Sequence, residues 1–200
     1  MGRWLAVHFW WKVVIACVML PILATAMIIL LSQHSYGPPR LDVETTEKLS
    51  VDELVGRFDP SGTRLVLPTW MPGRMKLQEI YLPSRMAVLV YGDEPIRHDI
   101  LEGKAAVEVM RSNRSPTLEE LKKEPSAEAL KVGDFSVLLD EDPCPGPRWE
   151  ERGIKPMLAY FYHDGFFYLI TVRKGEFTRD DLIRILENMR PVGPETLRKP

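Results

Sequence analysis

The longest run of apolar residues lies near the start of the chain. The segment Val13–Leu31 has nineteen residues, and Thr25 is its only polar side chain. A helix of that length covers about 28 Å, close to the hydrocarbon thickness of a bilayer. Lys12 precedes it, together with three tryptophans of the kind found at membrane interfaces, Trp4, Trp10 and Trp11. The pattern predicts a transmembrane helix over residues 13–31.

The charges around this segment predict its orientation. Arg3 and Lys12 lie before it, and cytoplasmic flanks usually carry the excess of basic residues. We therefore expect residues 1–12 to be a cytoplasmic tail and the chain after the span to be extracytoplasmic. The segment Ala24–Ala26 has the small-x-small form of a signal-peptidase site. The apolar residues 27–31 that follow it favour an uncleaved anchor over a cleaved signal peptide.

A proline-containing spacer separates the predicted span from a longer mixed sequence. Residues 32–46 include Gly37-Pro38-Pro39, which is typical of a semi-rigid stalk. Beyond it we expect one extracytoplasmic domain over residues 47–192 and a C-terminal tail over 193–200. A single domain is the usual content of a chain of this length.

Three capping motifs predict where the helices of this domain begin. Each places a Ser or Thr three residues ahead of an acidic residue; the pairs are Ser50/Glu53, Thr117/Glu120 and Thr178/Asp181. The last motif leads into an apolar stripe at helical spacing, formed by Leu182, Ile185, Leu186 and Met189.

Between the helices the hydrophobic pattern is that of strands. The predicted strands are Arg64–Pro68, Met75–Leu82, Met86–Tyr91, Ile96–Leu101, Lys104–Arg111, Gly133–Asp140, Met157–Tyr162 and Phe166–Val172. Met86–Tyr91 is continuously apolar, which predicts a central strand. Glu102-Gly103 predicts a hairpin turn between the fourth and fifth strands, and His163–Gly165 a three-residue turn between the last two. The order of elements predicts an α+β fold with a mainly antiparallel sheet.

The last predicted hairpin carries six aromatic rings. They are Tyr160, Phe161, Tyr162, Phe166, Phe167 and Tyr168. Because alternate residues of a strand point to opposite faces, the rings occupy both faces of the hairpin. Either both faces are core, or one face lines an apolar groove for a lipid or a peptide. The candidate contact residues are Tyr160, Phe161, Tyr162, Phe167 and Tyr168.

Composition narrows the possible functions. The chain has 26 Lys and Arg against 28 Asp and Glu, and so lacks the basic excess of a typical nucleic-acid-binding protein. Its two cysteines are too few for a disulfide scaffold or a four-cysteine zinc site; Cys144 is either a free thiol or an intermolecular partner. Gln and Asn total four against 17 Pro, a pattern that favours a thermophilic source.

The residues that could carry chemistry are few and scattered. The predicted domain has two histidines, His98 and His163, and no nucleophile motif or glycine-rich phosphate loop. Residues 140–142 and 150–151 are acidic, but they lack the spacing of a calcium loop. We therefore expect no catalytic residue, cofactor or metal site, and no enzyme activity. A hydrolase that uses the acidic loop is the less favoured alternative.

Two groups of residues resemble those of a family. The first is Leu67–Gly73, followed by Val88–Tyr91; the second is Ala159–Tyr168, followed by Asp181–Met189. Together they resemble the bacterial and archaeal membrane-anchored extracytoplasmic domains of unknown function found in anti-sigma-like and lipoprotein-carrier-like proteins. Residues 92–156 show no resemblance to this family. The resemblance implies an extracytoplasmic, non-catalytic module and carries over no functional residues.

Two functions are compatible with these patterns. The first is a single-pass, membrane-anchored binding or sensing module that acts through protein contacts. The second is a domain that handles lipids or lipoproteins in an apolar groove. An apolar cavity the size of a small-molecule site would favour the second function.

Overall fold

The structure, a computed structural model, describes residues 41–61, 64–123, 127–143 and 147–192. All of them belong to one compact unit. Within these ranges no helix is long and apolar enough to cross a membrane. The predicted tail and span over 1–31, most of the stalk, Cys144 and the tail over 193–200 lie outside the described residues. They stay predictions.

Antiparallel strands make up most of the described chain. The strands are β1 Val66–Pro68, β2 Lys76–Tyr81, β3 Met86–Gly92, β4 Ala105–Arg111, β5 Glu128–Val132, β6 Phe135–Asp140, β7 Pro156–His163, β8 Phe166–Arg173 and β9 Met189–Pro191. Seven of them form one sheet in the order β2-β3-β4-β8-β7-β6-β5, while β1 pairs with β9. Every pairing in both sheets is antiparallel. The helices are α1 Val51–Phe58, α2 Leu118–Leu121, α3 Pro147–Glu151 and α4 Arg179–Glu187. The predicted α+β class is confirmed.

The larger hydrophobic core covers one face of the seven-stranded sheet. On that face the central strands contribute Leu89, Val107 and Ile170, all fully buried. The apolar sides of α1 and α4 and the small β1–β9 sheet pack against them in a single cluster. We call this the first face.

The second face of the sheet has its own, smaller core. Val88, Val90 and Ala106 lie on it and pack with side chains from two connecting segments. One of these segments supplies Leu41 and Val43, which are 6% and 5% exposed. Both belong to the predicted stalk, so the chain joins the second face before the predicted start of the domain at residue 47.

The three capping motifs form as predicted. Ser50, Thr117 and Thr178 are the N-caps of α1, α2 and α4, and each makes a reciprocal capping box with the acidic residue three positions later. These bonds satisfy backbone N–H groups that have no partner within the helix. The stripe of α4 is buried, with Leu182, Ile185 and Leu186 all fully enclosed.

The predicted strand over Ile96–Leu101, and its hairpin with the next strand, are wrong. The segment contains a turn of 3₁₀ helix at Ile100–Glu102. The carboxylates of Asp99 and Glu102 accept hydrogen bonds from nearby backbone N–H groups, so these donors find partners locally rather than in a neighbouring strand. β4 pairs instead with β3 and β8.

Three further differences are local. The turn of the aromatic hairpin has two residues, since His163 pairs with Phe166, and Asp164 and Gly165 both have positive φ (46° and 84°), as a type I′ turn requires. The short strand β5 and the helix α3 were not predicted. β3 is an interior strand, as its apolar sequence predicts, but β8 occupies the centre of the sheet.

Candidate functional site

A half-open cleft of about 810 Å³ lies at one end of strands β2, β3 and β4, beside the C-terminus of α1. The β2–β3 turn forms one wall, where Ser84 adopts a left-handed φ of 65°. The lining residues are Arg57, Phe58, Leu82, Pro83, Ser84, Arg85, Met86, Met110, Arg111 and Asn113. A cleft of this size falls in the range of small-molecule sites.

The charges of this cleft are all of one sign. Its lining includes Arg57, Arg85 and Arg111 and no acidic residue. Arg111 donates from Nη2 to the carbonyl oxygens of residues 57 and 58, both at 3.1 Å, and so places a cation at the C-terminus of α1. Arg57 is 2.6 Å from Glu47, which lies outside the lining. Among the described residues Arg85 makes no ion pair, so its guanidinium is available to an anion.

Apolar side chains line most of the remaining surface of the cleft. Met86 opens β3 and Met110 lies directly opposite it near the end of β4. Met110 is 38% exposed and is the only exposed large hydrophobic side chain of the described residues. Exposed apolar side chains that cluster in a concave site are a common mark of ligand binding.

The two methionines continue into a row of large side chains across the second face. Met110 pairs with Phe167 of β8, and Phe167 pairs with Tyr162 of β7. The rings of Phe167 and Tyr162 are 5.0 Å apart, and both side chains are half-buried. We call Met86, Met110, Phe167 and Tyr162 the second-face row.

The structure separates the five predicted contact residues into two groups. Phe161 and Tyr168 lie on the first face, stacked at 4.7 Å and fully buried. Burial raises the pKa of the Tyr168 phenol, which accepts a hydrogen bond from the Val66 N–H at 3.0 Å. These two rings are core. Tyr160, Tyr162 and Phe167 share the second face, and each is half-buried.

The described residues include no cluster of three or more His, Cys, Asp or Glu side chains able to hold a metal ion. In the acidic loop, Glu141 pairs with Arg179 at 2.9 Å and Asp142 with Lys174 at 3.3 Å. His163 packs edge-on against Phe135 at 5.1 Å, and His98 is exposed. Ion pairing and packing thus account for the local contacts of Glu141, Asp142 and His163.

A buried carboxyl group lies on the same sheet face as the second-face row. Glu108 of β4 is 5% exposed, and its Oε1 has no hydrogen-bond partner. Its neighbours across the adjacent strands are Val88 and Leu169, so burial raises the pKa of Glu108 to about 8. A neutral carboxylic acid therefore predominates at this position at neutral pH. The only sequence signal for Glu108 is that it is the one charge within the run Ala105–Met110.

The cleft also has a signal in the sequence. Its signal is the mirrored pair Arg85-Met86 and Met110-Arg111, which brings two arginines and two methionines together when β3 and β4 pair in this register. The predicted hairpin between residues 96–101 and β4 does not by itself bring the two dipeptides together.

Comparison with known proteins adds no relative. No protein-family model, curated protein or solved structure matches the chain. The resemblance to membrane-anchored extracytoplasmic domains therefore stays a prediction.

Proposed function

We propose that the protein is a membrane-anchored extracytoplasmic binding module and that the arginine-lined cleft is its ligand site. The ligand is an amphiphile with a negatively charged group. The observation that carries this proposal is a cleft of about 810 Å³ in which three guanidinium groups and no carboxylate accompany an apolar surface. Of the two functions predicted from the sequence, such a cavity favours the lipid-handling one.

Each chemical group of the proposed ligand matches a set of side chains in the cleft. Guanidinium groups bind phosphate and carboxylate oxygens through paired, charge-assisted hydrogen bonds. Arg85 is the guanidinium best placed for this role, because the other two already contact Glu47 and the end of α1. Met86 and Met110 offer flexible apolar side chains that adapt to an alkyl chain.

The predicted anchor supports an amphiphilic ligand. Met86 packs against the second-face core that also contains Leu41 and Val43. Leu41 follows the end of the predicted span by ten residues, which reach at most about 35 Å when fully extended. The predicted anchor thus holds this body near a bilayer, where amphiphiles concentrate.

Calorimetric titration of the full chain in phosphatidylcholine nanodiscs tests the proposal. The probe is dodecyl phosphate, and dodecylphosphocholine, which has the same chain and no net charge, is its control. We expect the phosphate to bind about tenfold more tightly, since one charge-assisted hydrogen bond contributes on the order of that factor. Arg85→Gln should remove most of this preference.

The matched control is Arg74→Gln, an exposed arginine at the opposite end of β2. It should bind dodecyl phosphate like the wild type. Because both probes partition into the nanodisc alike for every variant, differences between variants report the cleft. Equal binding of the two probes by the wild type, or equal losses in the Arg85 and Arg74 variants, would refute the proposal.

A further inference from the structure

The second-face row runs from the cleft across the sheet toward β7. From Met86 to Tyr162 it crosses four adjacent strands, β3, β4, β8 and β7, in register. Three inter-strand spacings of about 4.8 Å make the row about 14 Å long. It therefore offers an apolar surface about as long as an alkyl chain, which begins beside Arg85 and ends at Tyr162. We call this surface the track.

The Met86 end of this track is positively charged. Arg85 lies there, next to Met86 in the chain, while Arg111, next to Met110, is held at the C-terminus of α1. Along the row itself the side chains are two methionines and two aromatic rings, with Phe167 and Tyr162 packed at 5.0 Å. A ligand that fills the track has its anionic group at the β2–β3 turn and its alkyl chain across β4 and β8.

We propose that the occupant is an anionic phospholipid of the bilayer in which the chain is anchored, bound with its phosphate at Arg85 and one acyl chain along the second-face row. This inference rests on the proposed function and names the source of the amphiphile. Charge complementarity selects an anionic head group. Because the predicted span ends only ten residues before Leu41, we expect the source to be the same bilayer rather than a second membrane or a soluble carrier.

The test uses the full chain with ¹³C-labelled methionine methyl groups in nanodiscs. One set of nanodiscs contains phosphatidylglycerol that carries a nitroxide on its acyl chain; the other contains phosphatidylcholine with the same label. We expect the labelled phosphatidylglycerol to broaden the methyl signals of Met86 and Met110. The signal of Met157, which is 2% exposed on the first face, should stay sharp.

Two variants locate the head group and the acyl chain. Arg85→Gln should abolish the excess broadening by phosphatidylglycerol, whereas Arg74→Gln should retain it. Phe167→Ser should reduce the broadening at Met110 while leaving dodecyl phosphate binding measurable, because the phosphate contacts at Arg85 remain.

The outcomes separate this inference from the proposed function. Equal broadening by both labelled lipids would show only that the domain lies close to the bilayer, and would overturn the inference. Binding of dodecyl phosphate without broadening by labelled phosphatidylglycerol would leave the cleft as an amphiphile site but exclude a lipid of the same bilayer. Loss of both signals would overturn the two proposals together.

Discussion

Glu108 is a carboxyl group buried in the middle of a β-strand. Its side chain lies between Val88 and Leu169 with one oxygen unpartnered, and burial raises its pKa to about 8 from an ordinary value of 4.5. Folding therefore favours the protonated form. Below the ordinary pKa both the folded and the unfolded states are protonated, so the side chain costs the least stability there. Between about pH 4.5 and 8 the unfolded chain releases the proton and the folded state is progressively disfavoured.

This pH dependence of stability gives a prediction for the Glu108→Gln variant. The free energy of unfolding of the wild type, measured relative to that of the variant, should fall by about 1.4 kcal/mol per pH unit within this range. Taking the difference removes the contribution of every other titrating group. Urea denaturation at several pH values provides the measurement, and parallel curves for the two proteins would show that Glu108 keeps an ordinary pKa.

At the scale of single elements, α4 shows how a local signal becomes tertiary structure. Thr178 caps the helix, and three of the helix's own side chains, Leu182, Ile185 and Leu186, are fully buried. We expect Leu186→Ala to lower the free energy of unfolding by about 2–5 kcal/mol, since it leaves a cavity in the larger core. The exposed Glu187→Ala is the matched control and should change stability by less than about 0.5 kcal/mol. Similar losses in both variants would contradict the packing described.

The aromatic hairpin provides a second prediction at this scale. Phe161→Ser removes a ring that stacks on Tyr168 within the core, so it should destabilise the domain by about 3–5 kcal/mol. Tyr162→Ser removes a half-buried ring of the second-face row, and the cost should stay within about 1 kcal/mol. Thermal melts of the two variants distinguish the faces. Equal and severe destabilisation would mean that both faces are core and would end the case for a ligand track.

Elements were predictable from the sequence where their signals are local. The capping boxes place Ser50 and Thr178 at helix starts because the bonds involved span three residues. The pairing of β4 was not predictable in this way. Residues 96–101 have a strand-like pattern, but Asp99 and Glu102 bind their own backbone, and this competition depends on the surrounding loop. The cleft was not predictable either, because Arg85 and Arg111 line one cleft only when β3 and β4 pair in the observed register.

For the whole molecule, the predicted anchor and its orientation determine on which side of the membrane the domain is expected to lie. Residues 13–31 are expected to span the bilayer with the N-terminus in the cytoplasm. Protease added to intact cells should therefore digest the domain after residue 35, and N-terminal sequencing should find a mature chain that starts at or near Met1. A protected domain would reverse the orientation. A mature chain starting at Met27 would convert the anchor into a cleaved signal peptide.

The measurement that tests the cleft most directly compares methionine methyl groups within one molecule. Dodecyl phosphate is titrated into the full chain, labelled at its methionine methyl groups and held in phosphatidylcholine nanodiscs, and the shifts are followed by NMR. Met86 and Met110 line the cleft, whereas Met157 is 2% exposed on the opposite face of the sheet. A ligand in the cleft should shift the signals of Met86 and Met110 in a saturable way and leave Met157 unchanged. Shifts of equal size at all three, or none at Met86 and Met110, would contradict a binding site at this position.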